Sequence, residues 1–203
     1  MSLEKGIQMQ EQKEIIKRRS IPAFALWGAV GFGIGGAIGG IIAVDAATFF
    51  GFAIMGGIGG MSLGLALKSW KIAGFLALAG AVGLSIGVLI CVFIGLGLGE
   101  VLPLPDLLWR ILGRFTIAGA VTGVALGLPL KGWKEAGFLA LAGAIAFLIV
   151  EQVQEVVPLG LITHQLLSRV TQMVIWGVVG GALWGAALGY LEKRKADTQS
   201  QVN

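Results

Sequence analysis

Four charged residues interrupt otherwise apolar sequence in the second half of the chain: Arg110, Arg114, Glu151 and Glu155. The members of each like-charged pair are four residues apart, so on a helix they lie one turn apart on the same face. An ionisable side chain inside a bilayer costs about 2.5–3.5 kcal/mol at mid-membrane, and a partner of opposite charge is therefore expected. The chemistry that this pattern offers is ion pairing.

The arginines and the glutamates lie at equal distances along the chain on either side of one polar turn. The interval from Arg114 to Lys131 equals the interval from Lys134 to Glu151 (131 − 114 = 151 − 134). Two antiparallel helices joined by this turn would therefore bring Arg114 level with Glu151. The same count, extended by one helical turn, pairs the two outer charges, Arg110 and Glu155. We predict two ion pairs near one membrane surface; the alternative is that all four side chains extend to headgroups or water.

The other residues with reactive or metal-binding side chains occur singly. His164 is the single histidine and Cys91 the single cysteine, whereas metal sites usually need several convergent donors. Letters that match a dinucleotide-binding motif occur at Gly31, Gly33 and Gly36, but they lie inside an apolar run rather than between a strand and a helix. The sequence contains no plausible set of nucleophile, base and orienting group. We expect no enzymatic activity, no cofactor and no metal.

The composition is that of a membrane protein. Of 203 residues, 56% are hydrophobic and 13% are charged, and the mean hydropathy is +0.89. A membrane-spanning helix needs about 20 apolar residues, and continuous apolar runs exclude the alternating pattern of a membrane barrel. The sequence predicts six spans, at residues 22–44, 46–67, 72–99, 107–130, 136–156 and 166–190. The bilayer is thus the first expected partner.

The distribution of Lys and Arg predicts the orientation of these spans. With six spans, twelve basic residues fall on the side of the chain ends: Lys5, Lys13, Lys17, Arg18, Arg19, Lys68, Lys71, Lys131, Lys134, Lys193, Arg194 and Lys195. Only Arg110, Arg114 and Arg169 fall on the other side. Basic residues favour the cytoplasmic side, so both termini are predicted there, in a cell inner membrane or an internal membrane. Topology accounts for the net charge of +4, and no nucleic-acid partner is expected.

One long stretch of sequence occurs twice with few changes. "LGLALKSWKIAGFLALAGA" begins at Leu63 and "LGLPLKGWKEAGFLALAGA" begins at Leu126. We call the interval between these two starting points the repeat offset. Each copy covers the end of one span, a polar turn and the start of the next span. A third and less similar copy lies at the end of the last span. The sequence therefore predicts three tandem helical hairpins.

These hairpins define the predicted domain organisation. A single transmembrane domain covers residues 21–191 and contains repeats at 21–71, 72–134 and 135–191. Residues 1–20 form a cytoplasmic N-terminal segment, either a surface helix or a frayed end. Residues 192–203 are polar and predict a solvated, disordered cytoplasmic tail.

Glycines recur every fourth residue in the second, fourth and sixth spans. The nine positions are Gly56, Gly60, Gly64, Gly119, Gly123, Gly127, Gly181, Gly185 and Gly189. Apolar burial gives membrane helices little attraction for one another, whereas a glycine groove lets two backbones approach closely. The predicted fold is therefore all-α: a polytopic membrane protein with glycine-zipper packing. Packing within one chain and packing between subunits both remain open.

Two classes of function agree with this sequence. The first is a non-catalytic integral membrane protein that packs through its glycine-rich helices, as an accessory or assembly subunit of a larger complex or through self-association. The second is a small transporter or channel for a neutral or weakly polar solute, since internal repeats are common in transporters. The middle of each span lacks the ionisable residues of an ion relay, which favours the first class.

Overall fold

The computed structural model describes residues 21–43, 48–97, 114–130, 132–156 and 165–202. These residues are helical almost throughout, and none of them lies in a strand, which confirms the predicted all-helical class. The helices are α1 (Ile21–Ile42), α2 (Thr48–Ala66), α3 (Trp70–Gly97), α4 (Arg114–Gly127), α5 (Trp133–Val156) and α6 (Gln165–Val202). A 3-10 turn, Leu128–Leu130, continues α4 towards α5.

Five of these helices are long and apolar enough to cross a bilayer, which indicates a membrane protein. They are α1, α2, α3, α5 and α6. The fourth predicted span, 107–130, corresponds to α4, which has 14 residues in the described part of the chain. With its 3-10 turn it forms a shorter apolar segment, Phe115–Leu130.

The six helices in the described part of the chain form a closed ring. Each helix contacts the next one along the chain, and α1 and α6 share the most extensive interface, which closes the circle. Successive helices run in opposite directions. We call the end of the ring that holds Ile21, Lys68 and Lys195 the terminal face, and the opposite end the distal face.

The turn between α2 and α3 shows why this hairpin forms. Lys68 adopts a left-handed backbone conformation (φ 57°), and its N–H donates to the carbonyl of Leu65 at 2.8 Å. One left-handed residue after a helix end satisfies carbonyls that the helix leaves open. The hydroxyl of Ser69 then accepts a hydrogen bond from the N–H of Ile72 at 3.4 Å and caps the start of α3. Two helices can therefore follow each other with only a short turn between them.

The C-terminal end corrects one prediction. The sequence predicts a disordered tail over 192–203, whereas α6 continues as a helix through Val202. Lys195 lies 3.6 Å from Glu192 one turn earlier and 3.9 Å from Glu135 at the start of α5. Pairs at this spacing support a helix, and the contact with α5 adds an anchor that composition alone does not reveal.

The outer surface of the ring is apolar. On α1, Leu26, Val30, Ile34 and Ile38 follow each other at every fourth position, and all are exposed. Residues four apart share one helix face, so α1 presents a continuous aliphatic stripe away from its neighbours. A surface of this kind suits lipid tails and would promote aggregation in water.

Candidate functional site

The predicted glycines of α2 lie against the backbone of α3. A Cβ atom added to Gly56 would overlap the carbonyl oxygen of Gly80, and one added to Gly60 would overlap the carbonyl oxygen of Leu76. One added to Gly64 would overlap the Cα atom of Ala73. At all three levels the obstacle is main chain, which cannot rotate away as a side chain can.

The same three contacts recur between α4 and α5. Their members are Gly119 with Gly143, Gly123 with Leu139, and Gly127 with Ala136. Each glycine and each partner stands one repeat offset after its counterpart in the α2–α3 hairpin (119 − 56 = 143 − 80 = 126 − 63). Two separate parts of the chain thus make close contacts at equivalent positions.

The glycines of α6 approach α1 rather than the preceding helix, α5. A Cβ on Gly181 would overlap the carbonyl oxygen of Gly28, and one on Gly185 would overlap that of Phe24. A Cβ on Gly189 would lie 3.1 Å from the Cα atom of Ile21. The first and last helices therefore meet through close contacts like those within the other two hairpins.

The predicted ion pairs lie mostly outside the described residues. Arg110 falls there entirely, as do the side chains of Arg114 and Glu155. Glu151 is described: its carboxylate accepts a hydrogen bond from the backbone N–H of Phe115 at 3.3 Å. Phe115 is the second residue of α4, so this carboxylate reaches the N-terminal end of a neighbouring helix. A negative charge is favourable there because the first N–H groups of a helix have no partner within it.

We expect Glu151→Ala to lower the free energy of unfolding by about 1–2 kcal/mol, because it leaves this N–H without its acceptor. Unfolding in mixed detergent micelles, followed by tryptophan fluorescence, measures the change. Gln152→Ala, at an exposed neighbouring position, is the control. If the cost of Glu151→Ala falls sharply in an Arg114→Gln background, an ion pair contributes; if it persists, the backbone contact dominates.

Aromatic side chains fill the interior of the ring. Trp176 packs against Phe115 with ring centroids 4.2 Å apart, against Phe52 at 5.8 Å and against Phe147 at 5.9 Å. Trp184 packs against Phe147 at 6.0 Å in the same interior. These rings come from α2, α4, α5 and α6, so one cluster joins helices from around the ring.

Each buried indole brings a polar group into this apolar interior. Within the described part of the chain, the N–H groups of Trp176 and Trp184 have no hydrogen-bond acceptor. Trp184 also packs against Phe32 of α1 at 5.0 Å. Sequence reasoning did not single out these two tryptophans, and their occurrence in a glycine-rich helix is the signal that could have identified them.

A cavity of about 370 Å³ opens at the distal end of the aromatic cluster. Arg169, Gln172 and Thr48 contribute polar groups to its wall, and Trp176 is part of its lining. The guanidinium of Arg169 donates a hydrogen bond to the carbonyl oxygen of Ala43 at 3.2 Å. The cavity therefore combines one cation, neutral polar groups and aromatic surface.

A second cavity, of about 590 Å³, lies at the terminal face between α5 and the extended end of α6. Its lining includes the charged side chains of Lys134, Glu135, Arg194 and Lys195. Glu135 replaces Ile72 of the earlier copy of the repeated stretch, so it is one of the few positions at which the two copies differ.

The remaining candidate residues form no site that the structure describes. Among the described residues, no group of three or more His, Cys, Asp or Glu side chains could hold a metal ion. His164 lies outside the described residues, and Cys91 is a buried free cysteine. The glycines at 31, 33 and 36 lie within α1, away from any strand–helix junction.

Comparisons with protein-family models, curated proteins and solved structures find no match for this chain.

Proposed function

We propose that this chain is a non-catalytic integral membrane protein that packs through glycine-rich helices and serves as an accessory or assembly subunit of a larger membrane complex. The observation that carries this proposal is the aromatic interior. Trp176 and Trp184 pack against rings from several helices where a channel would need open space. A filled interior with an apolar outer surface suits a packing unit in lipid.

Three helical hairpins with equivalent helix packing account for the glycine contacts. Two of them are continuous in the chain, α2–α3 and α4–α5. The third combines α6 with α1, so its two helices lie at opposite ends of the sequence. This arrangement is supported by the equivalent contacts of Gly56 with Gly80, Gly119 with Gly143, and Gly181 with Gly28. Tight contacts therefore cross the boundaries at 71 and 134 that the sequence pattern predicts between repeats.

A circular permutant tests this arrangement. The permuted chain begins at Thr48, runs to Leu191, continues through a copy of the 67–69 turn into Ile21, and ends at Ala43. We expect it to fold with a free energy of unfolding within about 1 kcal/mol of the reference, because a short turn replaces an open end between helices already in contact. Unfolding in mixed detergent micelles measures this difference.

The reference chain covers residues 21–191 in their natural order, so both proteins lack the same polar ends. A permutant that is insoluble in detergent, or that loses several kcal/mol, would contradict the equivalence of the three hairpins.

Both chain ends belong to the cytoplasmic side in this proposal. The support is the excess of Lys and Arg on the terminal face, where Lys68, Lys71 and Lys134 lie near the hairpin turns. Labelling of single cysteines, introduced at the terminal and distal faces of a Cys91→Ala chain, tests the orientation in sealed vesicles.

Purification in mild detergent tests the proposed role as a subunit. We expect a second membrane protein to accompany the chain in a fixed molar ratio through successive columns. Liposomes that contain the purified chain alone should be no more permeable to ions and small solutes than protein-free liposomes. Solute flux that depends on the chain would overturn the non-transport proposal.

The distal cavity favours one alternative, a small transporter or channel for a neutral or weakly polar solute. Its volume of about 370 Å³ can hold a small molecule, and the side chains of Thr48 and Gln172 make part of its wall neutral and polar. Trp176 would then close the path below the cavity. Uptake by liposomes that contain only this chain, increased by Trp176→Ala, would favour transport over the subunit role.

A further inference from the structure

The cavity at the terminal face has a charged rim. Lys134, Glu135, Arg194 and Lys195 all contribute to its lining, with a formal net charge of +2. Lys195 lies 3.9 Å from the carboxylate of Glu135 and 3.6 Å from that of Glu192, so two acidic groups surround it. Lys134 and Arg194 then supply the positive charge most open to an anionic ligand.

Aromatic and apolar side chains also line this cavity. Phe138 of α5 stacks on Tyr190 of α6 with ring centroids 5.5 Å apart, and Leu191 lies beside them. Phe138 is half-buried, and Leu191 is buried. The site thus joins a cationic rim to an aromatic wall, which matches an anionic headgroup attached to a hydrocarbon chain.

The residues beside the cavity are of the types that favour the level of the lipid headgroups. Trp133 begins α5 next to it and is 81% exposed. Tryptophan and tyrosine favour the boundary between hydrocarbon and water, and Lys134 follows directly in the sequence. A bilayer lipid could therefore enter sideways, without leaving its leaflet.

The equivalent place in the other continuous hairpin is more exposed, although its sequence is nearly the same. Phe75 and Lys71 stand one repeat offset before Phe138 and Lys134 (138 − 75 = 134 − 71). Phe75 is 66% exposed, whereas Phe138 is half-buried against Tyr190. The continuation of α6 beyond Tyr190 therefore creates the cavity.

We infer that this cavity binds one anionic phospholipid, with the headgroup phosphate between Lys134 and Arg194 and an acyl chain along Phe138 and Tyr190. Basic pockets between membrane helices hold anionic headgroups by this charge complementarity. The contact of Lys195 with Glu135 keeps α6 beside α5 and maintains the site. This inference does not depend on the proposed subunit role.

Titration of the full-length protein in mild detergent with phosphatidylglycerol or phosphatidylcholine tests the inference, with lipid adducts counted by native mass spectrometry. We expect one phosphatidylglycerol to bind saturably and phosphatidylcholine to bind at least tenfold more weakly. Each basic residue near an anionic lipid contributes about a fivefold factor in affinity, so the K134Q/R194Q double variant should bind about thirtyfold more weakly.

The matched control is the K71Q/K193Q double variant, which removes the same charge from exposed positions outside the cavity lining. It should bind phosphatidylglycerol like the natural protein. Equal weakening in both double variants, or saturation of the site by inorganic phosphate alone, would overturn a specific lipid site.

If the K134Q/R194Q double variant does not fold, the single variant R194Q still tests the inference. R194Q alone changes an exposed residue near the C-terminal end of α6 and should still bind about fivefold more weakly. Unchanged affinity in R194Q, with its elution profile also unchanged, would contradict the inference.

Discussion

Alanine at Gly119 is expected to lower the free energy of unfolding by about 2–3 kcal/mol, at the upper end of the usual cost of overpacking. Its Cβ would overlap the carbonyl oxygen of Gly143 and lie 2.7 Å from the ring of Phe147. Relief requires α4 and α5 to separate, and this weakens the van der Waals contacts that hold membrane helices together. Unfolding in mixed detergent micelles measures the loss.

Gly137→Ala is the matched control for this substitution. It makes the same chemical change in the same hairpin, but no atom outside the local helix backbone lies within 4 Å of its added Cβ. Because alanine favours helix over glycine by up to about 1 kcal/mol, Gly137→Ala should leave stability unchanged or raise it. Equal losses at Gly119 and Gly137 would contradict close packing as the reason for the glycine spacing.

Replacement of Trp184 by alanine is expected to cost about 3–5 kcal/mol, the largest effect that we predict for one residue. Trp184 is 1% exposed and contacts Phe32 of α1 and Phe147 of α5. Its loss leaves a cavity between three helices. Neighbouring backbones already in contact cannot easily collapse into such a space.

Trp133→Ala serves as the control, because Trp133 is 81% exposed at the start of α5. We expect a change below about 1 kcal/mol in the same unfolding assay, as is usual for surface positions. A Trp184→Phe variant should recover part of the stability, since it restores ring volume without the indole N–H that lacks an acceptor among the described residues. Similar losses for the two alanine variants would argue against the aromatic interior as the centre of stability.

Local patterns were sufficient to predict the helices. The span predicted at 22–44 corresponds to α1, and the span at 72–99 corresponds to α3, each within two residues of the observed ends. The match follows from the requirement that every backbone N–H and C=O inside a bilayer be paired within its own segment. Run length and apolar composition therefore determine where these two helices lie, whereas they did not predict the polar end of α6.

The candidate site was only partly accessible to this reasoning. The glycine period identified Gly181 as a close-packing position, but not its partner, Gly28, which lies near the other end of the chain. The charge count placed Arg114 level with Glu151, and the carboxylate of Glu151 accepts a hydrogen bond from the N–H of the next residue, Phe115. The ion pair itself stays a prediction.

Side-chain packing in the interior shows why the sequence alone did not predict the contacts between helices. The ring of Phe32 lies where a Cβ of Gly59 would be, so a large side chain on α1 occupies space left by a missing one on α2. Trp184 of α6 likewise packs against Phe147 of α5. A large side chain on one helix thus compensates for a small one on its neighbour, and the interior stays tightly packed. This compensation produces no repeating pattern in the sequence.

The sequence by itself determined that this protein is helical, that its helices are apolar enough to span a membrane, and which residues are small enough for close helix contact. Only the tertiary structure decided that α6 pairs with α1, that tryptophans fill the ring, and that the end of α6 forms a cavity with α5. The reason is physical: helix formation in lipid depends on neighbours along the chain, whereas helix pairing depends on shape contacts between distant segments.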